Sequence, residues 1–320
     1  MPPKLFTRPA ALSILLALGV CFAANHVAAR VAFDNGVGIT TAILMRSGLT
    51  ALVLLAVVLW QRVGLPRPQS LMQAQSPPRP IAHWVLCVGA LVALQSLCLY
   101  SAVARVPVVL ALLVFNTMPL LYALLTWALG GARPSARALM CMGVILLGLA
   151  MALDVVARLQ GHSSSVSTAT LWVGVGFGFA AASTMACALW ITERRLTSVP
   201  GILRSLWTMG LVFAAMLAIS IGGAALNTPL LPGGMTWPAN TLGWWALAAL
   251  VVCYGTAFSL WFIWMPRLDM ARNGSALNIE PVAVLVMAWM LLGQSLSALQ
   301  LLGALVVVAG IVLLSRQPKA

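Results

Sequence analysis

The sequence predicts an all-α polytopic membrane protein, with ten transmembrane helices arranged as two inverted five-helix repeats. Composition gives the class. Of 320 residues, 62% are hydrophobic and 7% charged, against about 25% charged in a soluble domain. Mean hydropathy is +1.02. Five acids and eighteen bases cannot clothe two soluble domains in charge. Hydropathy patterning gives the count, and a self-match at an offset of 162 residues gives the two halves.

A membrane helix needs about 20 mostly apolar residues. Ten stretches qualify: about 10–30, 38–60, 82–104, 106–129, 136–157, 170–192, 202–223, 241–264, 269–293 and 297–315. The first follows Lys4 and Arg8 and so resembles a secretion signal. Its uncharged run reaches about residue 29, long for a signal core, and nine spans follow, so it reads as a helix that stays. The longer connectors, 61–81, 158–169 and 224–240, are rich in Pro, Ser, Gln or Gly, and none is long enough to be a domain. The repeats are expected at 1–160, holding spans one to five, and at 161–320, holding spans six to ten.

Orientation follows from the Lys/Arg bias of the loops. With the N-terminus in the cytoplasm, fourteen bases fall inside, three (Arg30, Arg105 and Arg158) outside, and Arg46 within a span. Both termini are therefore expected in the cytoplasm. The +13 net charge is no nucleic-acid signal, since the bases are scattered singly between apolar runs. The six cysteines all lie in apolar stretches without metal spacing and read as packing residues.

The repeat is strongest over residues 101–152, where 11 positions are identical 162 residues later. Asn116 matches Asn278, Pro119 matches Pro281, Trp127 matches Trp289, and Gly148 matches Gly310. Five spans is an odd number, so the second copy enters the membrane from the opposite side. Inverted-topology repeats are a device of secondary transporters, where two equivalent halves exchange conformations to expose a central site alternately.

At this point the residues resemble a known family, the EamA-type transporters of the drug/metabolite transporter superfamily. The likeness is carried by Asn116-Thr-Met-Pro119-Leu through Gly148 and by Leu277-Asn-Ile-Glu-Pro281-Val through Gly310. Tyr100-Ser-Ala-Val-Ala is similar to the family's third-helix end, and Arg46 sits where its second helix often carries an arginine. The chain departs from the pattern where the family places a glutamate after Leu-Gly. Here stand Ala132 and Gln294. The resemblance implies ten helices around a central cavity, lined by the first four of each repeat. It implies export or exchange of small metabolites, amino acids or toxic compounds across the inner membrane, and leaves the substrate unnamed.

Polar side chains at membrane depth face a cavity or a partner. Glu280 is foremost. Hydropathy alone puts it near the cytoplasmic interface, whereas repeat alignment puts it roughly 16 Å into its span, near the midplane. There it can carry a proton, bind a cationic substrate group, or pair with Arg46. Arg46 in turn can snorkel outward, meet an anionic substrate group, or pair with Glu280. Position 280 corresponds to Met118, and Tyr122 and Thr126 follow on the same helical face, which reads as the cavity face. Asn116 and Asn278 lie around the helix from it. They serve either a helix–helix contact, at the kinks expected at Pro119 and Pro281, or the substrate. Asn25 and His26, late in the first span, are packed hydrogen-bonding groups or a proton relay. Tyr100, Gln95 and Tyr254 are weaker candidates for cavity hydrogen bonds. Gly174 and Gly178 have GxxxG spacing and read as close helix packing.

No cofactor or metal is expected. The chain has no Cys/His metal set, no acidic cluster, no pair of intramembrane acids for aspartyl chemistry, and no nucleotide-binding motif. It is therefore read as a non-enzyme whose driving force is a gradient. The expected partners are a small-molecule substrate and the lipid bilayer. A homodimer is compatible with the sequence, and nucleic acid is not expected.

Overall fold

The computed structural model describes residues 6–63, 79–131, 133, 136–152, 167–226, 234–264, 268, 279–294 and 297–315. Every regular element among them is a helix: α1 (Arg8–Asp34), α2 (Ile39–Val63), α3 (Arg79–Arg105), α4 (Val108–Phe115), α5 (Met118–Ala128), α6 (Ala136–Ala152), α7 (Thr168–Arg195), α8 (Gly201–Ala225), α9 (Thr241–Trp264), α10 (Glu280–Leu292) and α11 (Ala298–Ser315). Seven of the described spans are long and apolar enough to cross a membrane, and three shorter apolar helices complete ten.

Two spans differ from the simple reading. The fourth is two helices, because Asn116 and Thr117 sit at ψ −2° and −6° between α4 and α5. Pro119 has no N–H to continue the ladder. The Thr117 hydroxyl instead donates to the Val114 carbonyl at 2.7 Å. The ninth span is described only from Ile279. The region 269–278, with Asn278, lies outside the described residues. Pro281 stands in the first turn of α10, so both prolines occupy helix-start positions, where their fixed φ suits them.

Packing repeats under exchange of the two halves. The third helix of each repeat lies against the first of the other, as α3 against α7 and α9 against α1. First meets fourth as α1 against α10 and α7 against α5. The second helices pair across the molecule as α2 with α8, and the fifth helices as α6 with α11.

The α6–α11 contact is backbone against backbone. A Cβ on Gly148 would stand 2.9 Å from the Gly303 carbonyl, and one on Gly303 would stand 2.4 Å from the Ala152 amide. At Gly310, the repeat partner of Gly148, a Cβ would instead meet a side chain, Ile145 Cγ1, at 2.6 Å. Elsewhere, Gly174 and Gly178 admit Val106 and Val114 against α7, whereas Gly176 faces open space. Small residues let helices approach where lipid supplies no hydrophobic drive.

Polar groups at helix ends are spent locally. Arg30 donates to the carbonyls of Val103 and Ala104, the last turn of α3, and pairs with Asp34 at 3.0 Å. The loop ahead of α9 is tied to the α1–α2 turn. Gly38 N–H donates to Thr236, and Asn240 donates to the Asn35 side chain at 2.7 Å. All six cysteines are free.

Candidate functional site

Most of the polar residues singled out in the sequence meet between α1, α2, α3, α9 and α10. At the centre is Arg46, 4% exposed. Its Nη1 donates to the Tyr100 hydroxyl at 2.9 Å and its Nη2 to Ser96 Oγ at 2.8 Å. The guanidinium also lies over two aromatic rings, 4.7 Å from the centre of Tyr100 and 4.0 Å from that of Tyr254. Cation–π contacts of this kind strengthen when water is excluded.

The network extends from there. Tyr100 donates onward to Asn25 Oδ1 at 3.1 Å, and Ser96 donates to Gln95 Oε1 at 3.4 Å. Tyr254 stacks on Phe258 and donates to Met209 Sδ at 3.6 Å. Thr50 and Ser47 back-bond to carbonyls one turn earlier on α2, which keeps their hydroxyls out of competition. Three buried polar atoms of this cluster have no hydrogen-bond partner: Arg46 Nε, Asn25 Nδ2 and His26 Nδ1.

Glu280 opens α10, and its Oε1 lies 3.5 Å from His26 Nε2 on α1. The expected alternative partner is therefore corrected: Arg46 does not pair with Glu280. Rotation of α1 turns His26 toward α10, while Arg46 is held between Tyr100 and Tyr254. Nor does Arg46 snorkel, since its head group is buried.

The Met118–Tyr122–Thr126 face lies on α5 against α7. Tyr122 hydrogen-bonds Glu193 Oε2 near the end of α7. Arg194 covers the Trp190 ring beside it at 5.8 Å. Asn116 forms the C-cap of α4, its backbone N–H bonded to Leu112, and its side chain is half-buried at the kink. Gln294, in the place of the family's glutamate, accepts from the Val108 amide at 3.3 Å with its side-chain oxygen. A neutral amide thus caps the first free N–H of α4.

Two participants carried no signal in the sequence, and a third only a slight one. Ser96 is an ordinary helical serine until Arg46 is placed beside it. Glu193 stands in Ile-Thr-Glu-Arg-Arg at a span end, which reads as a solvated charge run. Gln294 registered only as a departure from a pattern. A groove of about 550 Å³ between α2, α3 and α8, lined by Leu55, Val85, Leu86, Leu206 and Trp207, is separate from this cluster and almost wholly apolar.

Comparison with known proteins agrees with this architecture. The EamA-like transporter family matches residues 9–153 and again 172–316. An uncharacterised transporter of Synechocystis is 26% identical over 237 residues, covering 74% of this chain and 68% of that protein. A solved crystal structure of 20% identity superposes with a TM-score of 0.60 over 96% of both chains, a likeness of fold. With both of its halves matched, this multi-pass membrane protein belongs to the EamA-like transporter family.

Proposed function

We propose that the chain is a secondary transporter that moves small metabolites, amino acids or drug-like compounds out of the cell, or exchanges them, by alternating access. It would lie in the inner membrane with both termini in the cytoplasm, as the Lys/Arg distribution favours. A small-molecule substrate and the surrounding bilayer are then its partners.

One observation carries the reading. His26–Glu280 ties the first helix of one repeat to the fourth of the other, and Glu193–Tyr122 makes the reciprocal tie. His26 stands eight residues before the end of α1 at Asp34, and Glu193 two before the end of α7 at Arg195. Five crossings separate those helices, so they run oppositely and the two ties lie toward opposite sides of the membrane. Releasing one tie while keeping the other opens the centre to one side.

Glu280 supplies the coupling in this reading. Protonation of its carboxylate cancels its attraction for His26 and loosens that tie. Return of the proton on the other side restores it. No bond other than O–H is made or broken, and the proton moves down its gradient.

The test is flux in proteoliposomes, with labelled amino acids and small metabolites, at two values of the pH gradient. Wild-type flux is expected to follow the gradient, and Glu280→Gln to abolish that dependence. Flux that ignores the gradient in both proteins would make the chain a facilitator and Glu280 structural. Absence of flux for every compound would count against a carrier.

A further inference from the structure

We infer that Arg46, together with Asn25, is the receptor for a carboxylate carried by the transported molecule. The inference rests on the transporter reading and names the chemistry of its substrate.

A guanidinium stays protonated in proteins and offers five N–H donors. Buried at 4% exposure, it calls for a counter-charge. Among the described residues, no carboxylate lies within 4 Å of it. The contacts it does have are neutral: two hydroxyls and two aromatic faces. Those contacts orient the group and exclude water without neutralising it.

The donors are also unfilled. Arg46 Nε is buried with no acceptor, and so is Asn25 Nδ2 in a residue of 0% exposure. Both belong to one linked unit, because the Tyr100 hydroxyl accepts from Arg46 and donates to Asn25 Oδ1. What is missing is therefore an acceptor with negative charge and more than one oxygen. A carboxylate meets all three requirements, and arginine binds it with a planar fork. A cationic ligand is not accommodated at this point, since both nearby aromatic faces are already occupied by the guanidinium itself.

A purely structural arginine bridging α2 and α3 is the rival. It would be expected to have saturated its donors. It would also make no distinction between an acid and its ester.

That distinction is the experiment. Purified full-length protein is heated with millimolar α-amino acids and monocarboxylates, each beside its own methyl ester and amide at equal ionic strength. Acids are expected to raise the wild-type Tm where their esters do not. Arg46→Gln should bind the same acids at least tenfold more weakly and lose the preference over esters, and Arg46→Lys should recover part of it. Should Arg46→Gln not fold, Asn25→Asp takes its place. It supplies the missing carboxylate internally, so it should raise the Tm and abolish the response to added acid. A wild-type protein that treats acids and esters alike, or that responds to no acid, overturns the inference. So does an Arg46→Gln protein that keeps its acid preference. The two readings separate cleanly. Proton-driven flux of uncharged or amine compounds with no preference for acids would leave the transporter and remove the carboxylate site. Acid-selective binding with no flux would do the reverse.

Discussion

Glu280 at the start of α10 lies 3.5 Å from His26 on α1, so an acid of the second repeat is engaged by the first. This relationship couples two elements that must part if the centre opens on that side. It predicts non-additivity. His26→Gln and Glu280→Gln should each lower thermal stability, and the double variant should cost less than their sum by about 1 kcal/mol, as for residues in direct contact. Additive losses in a thermal-unfolding cycle would show that the two do not act as a unit.

Tyr122 and Glu193 make the reciprocal contact, between α5 and α7. Tyr122→Phe removes the hydroxyl and keeps the ring, so packing of α5 on α7 is preserved while the tie is lost. A reporter at Thr126→Cys, one turn further along the same face, should then be alkylated by a water-soluble maleimide severalfold faster than in the Tyr122 background. Equal rates would mean that this contact does not control access.

The α6–α11 seam makes a contrasting pair of predictions on one helix. Gly148→Ala drives a methyl into the Gly303 carbonyl and the Val307 amide. Backbone shift of this kind costs roughly 1–3 kcal/mol. Gly143→Ala, five residues earlier and facing open space, should be neutral or gain up to about 1 kcal/mol from reduced chain freedom. Tm in one detergent for the two variants checks both signs.

At the centre, hydroxyl and ring can be separated. Tyr100→Phe keeps the aromatic face under Arg46 but strands Arg46 Nη1 and Asn25 Oδ1 without partners, at about 1–3 kcal/mol. Tyr254→Phe keeps the face that matters and loses only a weak bond to Met209 sulfur, so it should be nearly silent. Tyr254→Leu removes the ring and should cost up to about 2 kcal/mol. The order Tyr100→Phe below Tyr254→Phe in Tm is the decisive comparison.

Much of the fold was legible because membrane insertion depends on local properties. Apolar length marked the spans to within a few residues: 241–264 coincides with α9, and 170–192 falls inside α7 by two residues at one end and three at the other. Pro119 announced the break in the fourth span, since its missing N–H is a property of the residue itself. The site was legible only as a list of members. Arg46, Tyr100, Asn25, Gln95 and Tyr254 do gather, and depth in the membrane was enough to nominate them. Their pairing was not readable. Whether Glu280 meets Arg46 or His26 depends on how α1 is rotated about its axis, and a period of 3.6 fixes a face without naming the neighbour. Ser96 and Glu193 went unnoticed for a related reason. Each is unremarkable in its own helix and gains a role only from a side chain about fifty or seventy residues away.

The glycine seam has a further meaning. Gly148 meets Gly303, while Gly310 meets the segment holding Cys141 and Ile145. Positions 148 and 310 are equivalents, and so are 141 and 303. The contact is thus one surface pressed against its own inverted copy, with substitutions at its contact positions, among them Cys141 against Gly303 and Ile145 against Val307. With both copies in one chain, the pairing does not depend on concentration or on mixed insertion. One chain can also carry two unlike halves, with a carboxylate at position 280 where position 118 is methionine.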